Sequence, residues 1–464
     1  MHKTRILTLQ QISESENKYI NENSEEKILS IAGKQIAKFL VKKFQKKSIL
    51  FICGKGNNGN DGIKAANLIE TNKYEVFLIK KNINKKDINF LKSKLNSYEI
   101  IVDCIFGTGL NRHLTKSFIN IIRLINHSKK KVVSIDIPSG INVDTGQVYN
   151  LAVNATITLC MGFFKPAHFL IPSKEFCGEK ILLKLPLKLP RKIQPKISLI
   201  NQKKIFEYIP KFNPKININK YDKGHVLIIG GKMAGASRIV ALASRKVGAG
   251  LSTILVLPQH LKYYGGTEPG TIVSEFSENE LLKKDVLVIG PGLGKDFDIN
   301  LIERIILIFK GKIVVDADAI SNFENCSEKF LKLLSSKKSV VITPHAGEFK
   351  RIFKFTDNKL YDCFHASNSI CNTVLYKGND SIISSPKGRI WINDNASNSL
   401  AIAGSGDLLC GLISGLAAQK MNFKLSILAA ISIQNILSNN KNNVIVEDFL
   451  DNIHEVMNTI KNNN

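Results

Sequence analysis

The strongest constraint on this chain is a pattern that recurs along most of it. Short runs of β-branched and apolar residues alternate with stretches of helical periodicity. SILFIC (48–53), YEVFLI (74–79), EIIVDCIF (99–106), KVVSIDI (131–137), ATITLC (155–160) and KILLKL (180–185) form one series. HVLIIGG (225–231), LSTILVLP (251–258), DVLVIGPGLG (285–294), KIVVDADAI (312–320), KSVVITPHAGE (338–348), NTVLYKG (372–378), SIISSP (381–386) and RIWIN (389–393) form a second. A strand that is apolar on both sides must be covered on both sides, so each series predicts a mostly parallel sheet flanked by helices. From 185 to 222 the pattern lapses into Pro- and Lys-rich text such as LPLKLPRKIQP, with NQKKIFEYI as a candidate short helix. We read that stretch as a linker between domains at 1–200 and 201–464, each long enough for one α/β core. Helical spacing also marks 6–20, 24–44 and the region from 403 onward, with a frayed asparagine-rich tail.

The net charge of +26 raises nucleic-acid binding as a function class. Nine arginines stand against 56 lysines, spread evenly, without the arginine clusters and interleaved aromatics that such binding favours. We read a generally basic surface, suited to attracting a small polyanion, and expect no nucleic-acid partner. No apolar run reaches the length of a membrane span, and the first residues lack the apolar block of a secretory signal. The eight cysteines include no C-x-x-C pair, which fits a reduced, cytoplasmic protein.

Three strand ends of the first series carry polar loops. CGKGNNGNDG (53–62) follows SILFIC and leads into a helical stretch, and Gly54, Gly56 and Gly59 satisfy G-x-G-x-x-G. An ordinary dinucleotide loop calls for an acidic residue at the end of the next strand, where this chain has Lys80 and Lys81. A tight strand-to-helix turn accounts for the glycines but not for Asn57, Asn58, Asn60 and Asp61, which suit ribose hydroxyls, amides or a hard cation. EIIVDCIFGTGL sets Asp103 and a Gly107-Thr108-Gly109 turn at a third strand end, and KVVSIDIPSGINVDTG sets Asp136 and Ser139 at a fourth. In an open parallel sheet these ends line one crevice.

Together GKGNNGNDG, VDCIFGTGL and IDIPSGINVDTG resemble the epimerase domain of the bifunctional NAD(P)H-hydrate repair enzymes, which has a Rossmann-like, three-layer fold. The resemblance implies a hydrated dinucleotide, NAD(P)HX, held by Asn57, Asn58, Gly59, Asn60, Asp61, by Gly107, Thr108, Gly109, Leu110, Asn111, Arg112, His113, and by Asp136. It further implies a potassium ion on Asn58, Asp103 and Ser139, and proton transfer by Asp136. Asn60 stands where the family usually has glycine, and SIAG (30–33) lacks the Met-Glu usual before Ala-Gly.

The second half carries its own set. AGSGDLLCGLISG (403–415) opens a helix with Gly404, Gly406 and Asp407, where backbone N–H groups suit a phosphate and an aspartate can take a proton from an attacking hydroxyl. LYKG ends a strand in Lys377, and TPHAGEF brings His345 and Glu348 to another strand end. Either of the latter alone is more often structural. G-S-G-D after such a series resembles the ribokinase-like α/β kinases. With YDKGHVLIIGG, VIGPGLG, VVDADAI and TPHAGEF the set is closer to the dehydratase half of the same repair enzymes. That resemblance implies substrate contacts at Ala236, Gly292, His345 and Asp407, an adenine nucleotide along Lys377, Gly378, Asn379, Asp380, Ser381 and at Gly406, and catalysis by Asp407. ADP as co-substrate and Mg2+ follow from it. TEPGTIV (267–273) has Gly270 where the family often has glutamate. A ribokinase-like small-molecule kinase with an N-terminal ligand-binding module is the alternative, and a homo-oligomer stays open.

Overall fold

The computed structural model describes residues 5–69, 74–80, 83–189, 195–211, 217–282, 284–439 and 441–462, so Lys81 and parts of the 185–222 segment lie outside them. The chain divides into two compact units, Met1–Ser198 and Leu199–Asn464.

The first unit begins with a two-residue strand, β1 (Arg5–Ile6), then helices Leu9–Glu22 and Glu25–Lys43. Both helices start on capping side chains, Thr8 and Ser24, and the second carries Glu25 and Glu26 in its first turn and Lys42 and Lys43 in its last, complementing the helix dipole. Strands β2 (Ile49–Cys53), β3 (Tyr74–Leu78), β4 (Ile100–Cys104), β5 (Lys131–Ile135), β6 (Ile157–Met161) and β7 (Glu179–Leu183) form one sheet in the order β3-β2-β4-β5-β6-β7, parallel throughout. Successive side chains of a strand feed opposite faces. Phe51 and Cys53 join Ala32, Ile36 and Leu40 in one core layer, whereas Leu50 and Ile52 join Leu91, Ile121 and Ile125 in the other. Each buried Leu, Ile or Phe among them contributes about 1.5–3 kcal/mol of transfer free energy. The apolar runs lead to the parallel sheet covered on both faces, and the family resemblance to its three-layer, Rossmann-like form.

A further strand, β8 (Lys196–Leu199), lies inside the expected linker and pairs antiparallel with β1, Arg5 opposite Ser198. The helix suggested by NQKKIFEYI forms at Gln202–Phe206, and its Ile205 and Phe206 are buried in the core of the second unit. The described part of the linker is therefore structured.

In the second unit, β9 (His225–Gly230), β10 (Leu251–Val256), β11 (Ile272–Glu275), β12 (Val286–Ile289), β13 (Lys312–Val315), β14 (Val340–Ile342) and β15 (Thr373–Tyr376) run parallel. β16 (Ile382–Ser385) and β17 (Arg389–Ile392) add an antiparallel meander at one side, giving the order β17-β16-β15-β14-β13-β12-β9-β10-β11. Helices Ala234–Lys246 and Ser405–Ala418 pack closely, because a Cβ on Gly411 would collide with the Val240 carbonyl and one on Gly415 with the Ser244 carbonyl. Among the described residues no helix is long and apolar enough to cross a membrane.

Candidate active sites

In the first unit the glycine loop bends from β2 into helix Asn57–Ala66. Its glycines are spacers. A Cβ on Gly54 would collide with the Ile105 carbonyl, one on Gly59 with the Gly54 carbonyl, and one on Gly62 with Cys104 Sγ. The loop thus seats on the segment after β4. Asn58 is buried there and donates from Nδ2 to the Phe106 carbonyl (2.9 Å). Asp103 is fully buried and accepts four hydrogen bonds: Ile105 N–H (3.2 Å) and Ser139 Oγ–H (2.6 Å) on Oδ1, Ser134 Oγ–H (2.8 Å) and Ser139 N–H (2.9 Å) on Oδ2. Burial pushes its pKa up against those bonds, and the network ties the ends of β4 and β5 together.

Above this floor lies a cavity of about 840 Å³ at the carboxyl ends of the strands. Of the residues singled out for the hydrate, Asn57, Asn58, Asp61, Gly107 to Arg112 and Asp136 line it. Gly59, Asn60 and His113 do not. Gly59 packs against Gly54, Asn60 is exposed on the helix, and His113 meets Asn150 Oδ1 (3.0 Å). The glycine-to-asparagine departure at Asn60 therefore faces solvent rather than the cavity.

Asp136 sits in the left-handed region (φ 68°), a costly conformation for a residue with a side chain. Its Oδ1 accepts the Met161 N–H (3.0 Å) and the ammonium of Lys165, which is 1% exposed and also donates to the Met161 carbonyl (2.8 Å). His168, fully buried, donates from Nε2 to the Asp136 carbonyl (2.8 Å) and accepts the Lys165 N–H on Nδ1 (3.0 Å). Burial, helped by the Lys165 charge, pushes the His168 pKa down to about 3, so the ring is neutral. Lys165 and His168 are site residues that the strand-end motifs do not include. The segment FFKPAHF after ATITLC is the signal that holds them, a polar pair just past another strand end.

Two more carboxyls face Asp136. Burial, then Asp136 and Glu16, raise the Asp61 pKa to about 7, with Lys165 opposing. Asp61 Oδ1 is buried and has no hydrogen-bond partner among the described residues. Glu16, from helix Leu9–Glu22, lines the same cavity, and its pKa is raised by burial and then by Asp136.

In the second unit, Gly404 in a left-handed conformation (φ 85°) turns the chain into helix Ser405–Ala418, and Asp407 stands in its first turn. Burial, then Asp316, raise the Asp407 pKa to about 7, while Lys377 lowers it. Lys377 donates to Asp316 Oδ1 (2.5 Å), and Asp316 Oδ2 accepts the Cys410 thiol (3.2 Å). Burial works against the Lys377 ammonium, but the Asp316 charge keeps its pKa above the usual lysine range. Both lie beneath Gly406, whose added Cβ would stand 3.5 Å from Lys377 Nζ. Asp316, part of the VVDADAI run, is thus a site residue that only its pairing with Lys377 reveals.

Ala236 and Gly292 are brought together: a Cβ on Gly292, which is itself at φ 72°, would stand 3.0 Å from Ala236 Cβ. His345 caps helix Ala346–Ile352, accepting Gly347 N–H (3.0 Å) on Nδ1, while Glu348 accepts the His345 N–H (2.9 Å). Burial, then Lys377, lower its pKa, which ties it electrostatically to the Lys377–Asp316 pair. Gly378 to Ser381 form a tight turn after β15, with Ser381 Oγ donating to the Gly378 carbonyl (2.6 Å) and Asp380 paired with Lys359.

Against known proteins, residues 226–459 match the family model described as NAD(P)H-hydrate dehydratase, and residues 25–89 and 79–167 match that of the YjeF-related protein N-terminus. The chain is 30% identical over 472 residues to the bifunctional NAD(P)H-hydrate repair enzyme of Dictyoglomus turgidum, covering 90% of each. It is 30% identical to that of Coxiella burnetii, covering 89% of this chain and 90% of the other. Among solved structures, a ribokinase-like superfamily protein from Enterococcus faecalis superposes with a TM-score of 0.51 at 22% identity, covering 59% of this chain and 99% of that one. That likeness gives the second unit its ribokinase-like fold.

Proposed function

This chain belongs to the bifunctional NAD(P)H-hydrate repair enzymes, and on that premise we propose that it restores hydrated NADH and NADPH in two steps, one in each unit. The first unit interconverts the R and S epimers of NAD(P)HX at the hydroxylated ring carbon. The second dehydrates the S epimer at the expense of ADP, releasing AMP and phosphate. The observation that carries the second assignment is Asp407 in the first turn of helix Ser405–Ala418, beside the Asp316–Lys377 pair, with burial and then Asp316 raising its pKa to about 7.

In the epimerase cavity, the loop amides and the Gly107–Arg112 segment hold the dinucleotide, and Asp136 accepts a proton, its carboxylate aimed by Lys165 and Met161. Asn58, Asp103 and Ser139 offer an amide, a carboxylate and a hydroxyl gathered around the Phe106 carbonyl, a hard-oxygen set that suits potassium. A cation held there would supply positive charge beneath the loop.

In the dehydratase, Ala236 and Gly292, packed together beside the Met233 carbonyl, form one wall for the nicotinamide ring, and His345, Lys377 to Ser381 and Gly406 bound the rest. Asp407 takes the proton of the ring hydroxyl as that oxygen attacks the terminal phosphoryl group. The N–H groups of the helix start, from Gly406 onward, stabilise the phosphoryl charge. Phosphate then leaves with the C–O electron pair, the ring nitrogen lone pair forms C=N, and loss of a neighbouring ring proton gives NAD(P)H. Magnesium, when bound, would be held by the carboxylates of Asp407 and of Asp316, the latter now paired with Lys377 and the Cys410 thiol, and would offset phosphate charge.

Absorbance at 340 nm tests this reading. Mixed-epimer NADHX with magnesium, potassium and ADP, or ATP in its place, should return fully to NADH with one donor. An Asp407→Asn variant should lose at least about a hundredfold in dehydration while still equilibrating the epimers. No NADH with either donor would overturn the assignment in favour of the small-molecule kinase.

A further inference from the structure

The buried end of the epimerase cavity gathers three carboxyls, Glu16, Asp61 and Asp136, against one ammonium, Lys165. The other charged groups on its lining, Glu25, Lys55, Lys80 and Arg112, are exposed. Three carboxylates facing one cation in a partly desolvated pocket cannot all ionise, so one proton is retained. Geometry says where it resides. Asp136 has its Oδ1 saturated by Lys165 and Met161 N–H, both of which stabilise the anion. Asp61 has a buried oxygen with no partner among the described residues and lines the cavity that receives the substrate. Glu16 approaches from a different helix and adds negative charge beside it.

We propose that Asp61 is the general acid of epimerisation and that Glu16 is the positioning residue that keeps it protonated, opposite Asp136 as base. This rests on the epimerase reading of the unit. Asp61 gives its proton to the ring hydroxyl, the C–O bond breaks with its pair going to oxygen, and water departs while the ring nitrogen lone pair forms C=N. Water then adds to the other face, the nitrogen recovers its pair, and Asp136 takes the proton of the incoming water. One proton moves from Asp61 to Asp136 per inversion, and the reverse inversion returns it.

The test uses the full chain with R-NADHX and no ADP, following R and S by chiral chromatography, with solvent H2 18O in parallel. Wild type should incorporate one solvent oxygen per inversion and lose rate as pH rises through about 7, where Asp61 deprotonates. Asp61→Asn should lose at least about a hundredfold. In Glu16→Gln the falling limb should move to lower pH, because Asp61 loses the charge that raised its pKa. Rates are compared with wild type after each profile is normalised to its own low-pH plateau. Above neutrality they should fall below wild type by about tenfold for every pH unit that the limb moves. Glu16→Asp should restore the limb. A Glu16→Gln profile scaled down without displacement would make Glu16 merely structural and overturn the proposal, as would retained substrate oxygen or an active Asp61→Asn enzyme. Wild type that leaves R-NADHX unchanged beyond the spontaneous rate would instead refute the epimerase reading itself.

Discussion

His168 offers a test in which a single ring nitrogen reports on the whole first unit. The imidazole is fully buried and neutral, with a pKa pushed to about 3 against an ordinary 6.5. Between those values the unfolded chain binds a proton there that the fold rejects, so stability from this group is complete above pH 6.5 and is lost as pH falls toward 3. About pH 5 lies about 1.5 pH units below the unfolded pKa, so the loss there is about 2 kcal/mol. Asp61, Asp103 and Glu16, whose pKa values are raised, pull the other way, so only a difference isolates the histidine. His168→Gln keeps a hydrogen-bond donor but cannot titrate. Above pH 6.5 it should cost about 1–3 kcal/mol from imperfect pairing with the Asp136 carbonyl and Lys165 N–H, a deficit that narrows by about 2 kcal/mol at about pH 5. Hydrogen exchange of β4 and β5 amides, corrected for intrinsic rates, reads the local opening free energy. From about pH 8 to pH 5 wild-type protection should fall about thirtyfold further than that of the variant. Parallel curves for the two proteins would show that His168 accepts a proton in the fold, and the reasoning from its burial would be wrong.

Other expectations follow from the same structure. Lys377→Met removes the cation that holds Asp407 down, so the acid limb of dehydration should move to higher pH. Leaving Asp316, 2% exposed, without its partner should also cost about 3 kcal/mol in thermal unfolding of the second unit. Gly62→Ala drives a methyl into Cys104 Sγ and should cost about 1–3 kcal/mol, whereas Gly56→Ala, which meets nothing within 4 Å, should be nearly neutral in the same melt. Replacing potassium by a larger organic cation should slow epimerisation and leave dehydration of the S epimer unchanged, measured with the two epimers separately.

How much of this is legible in the sequence depends on distance along the chain. The glycine loop can be read because its reasons are local: Gly54, Gly59 and Gly62 are each excluded from carrying a side chain by atoms of the loop itself or of neighbouring strand ends. The strands are legible because both faces are buried, which leaves unbroken apolar runs such as ILFIC. Lys165 is invisible for the opposite reason. It is one lysine among 56, and only the fold brings Asp136, 29 positions earlier, to its ammonium. Asp316 and Lys377 meet across 61 positions. Glu16 lies on an amphipathic helix rich in glutamate, where nothing in the periodicity separates a pocket carboxyl from a solvated one. β1 is two residues long, too short for any alternation, and forms because residues 197–198 come to it. The edge strand β11 escapes the pattern because it is only half-buried and so lacks the apolar run.

The start of helix Ser405–Ala418 has a consequence beyond chemistry. Many helices of this protein close their first turn with a serine, threonine, asparagine or aspartate side chain, but Gly404 has none to offer. No side chain at Gly404 caps that helix, and the Ser405 N–H is met by the Ile402 carbonyl (3.5 Å). On the proposed reading, a phosphate bound there would cap the helix in place of a side chain. On that reading folding of this corner and recognition of the nucleotide are coupled, and substituting an ordinary capping residue for Gly404 would set a side-chain acceptor against the phosphate.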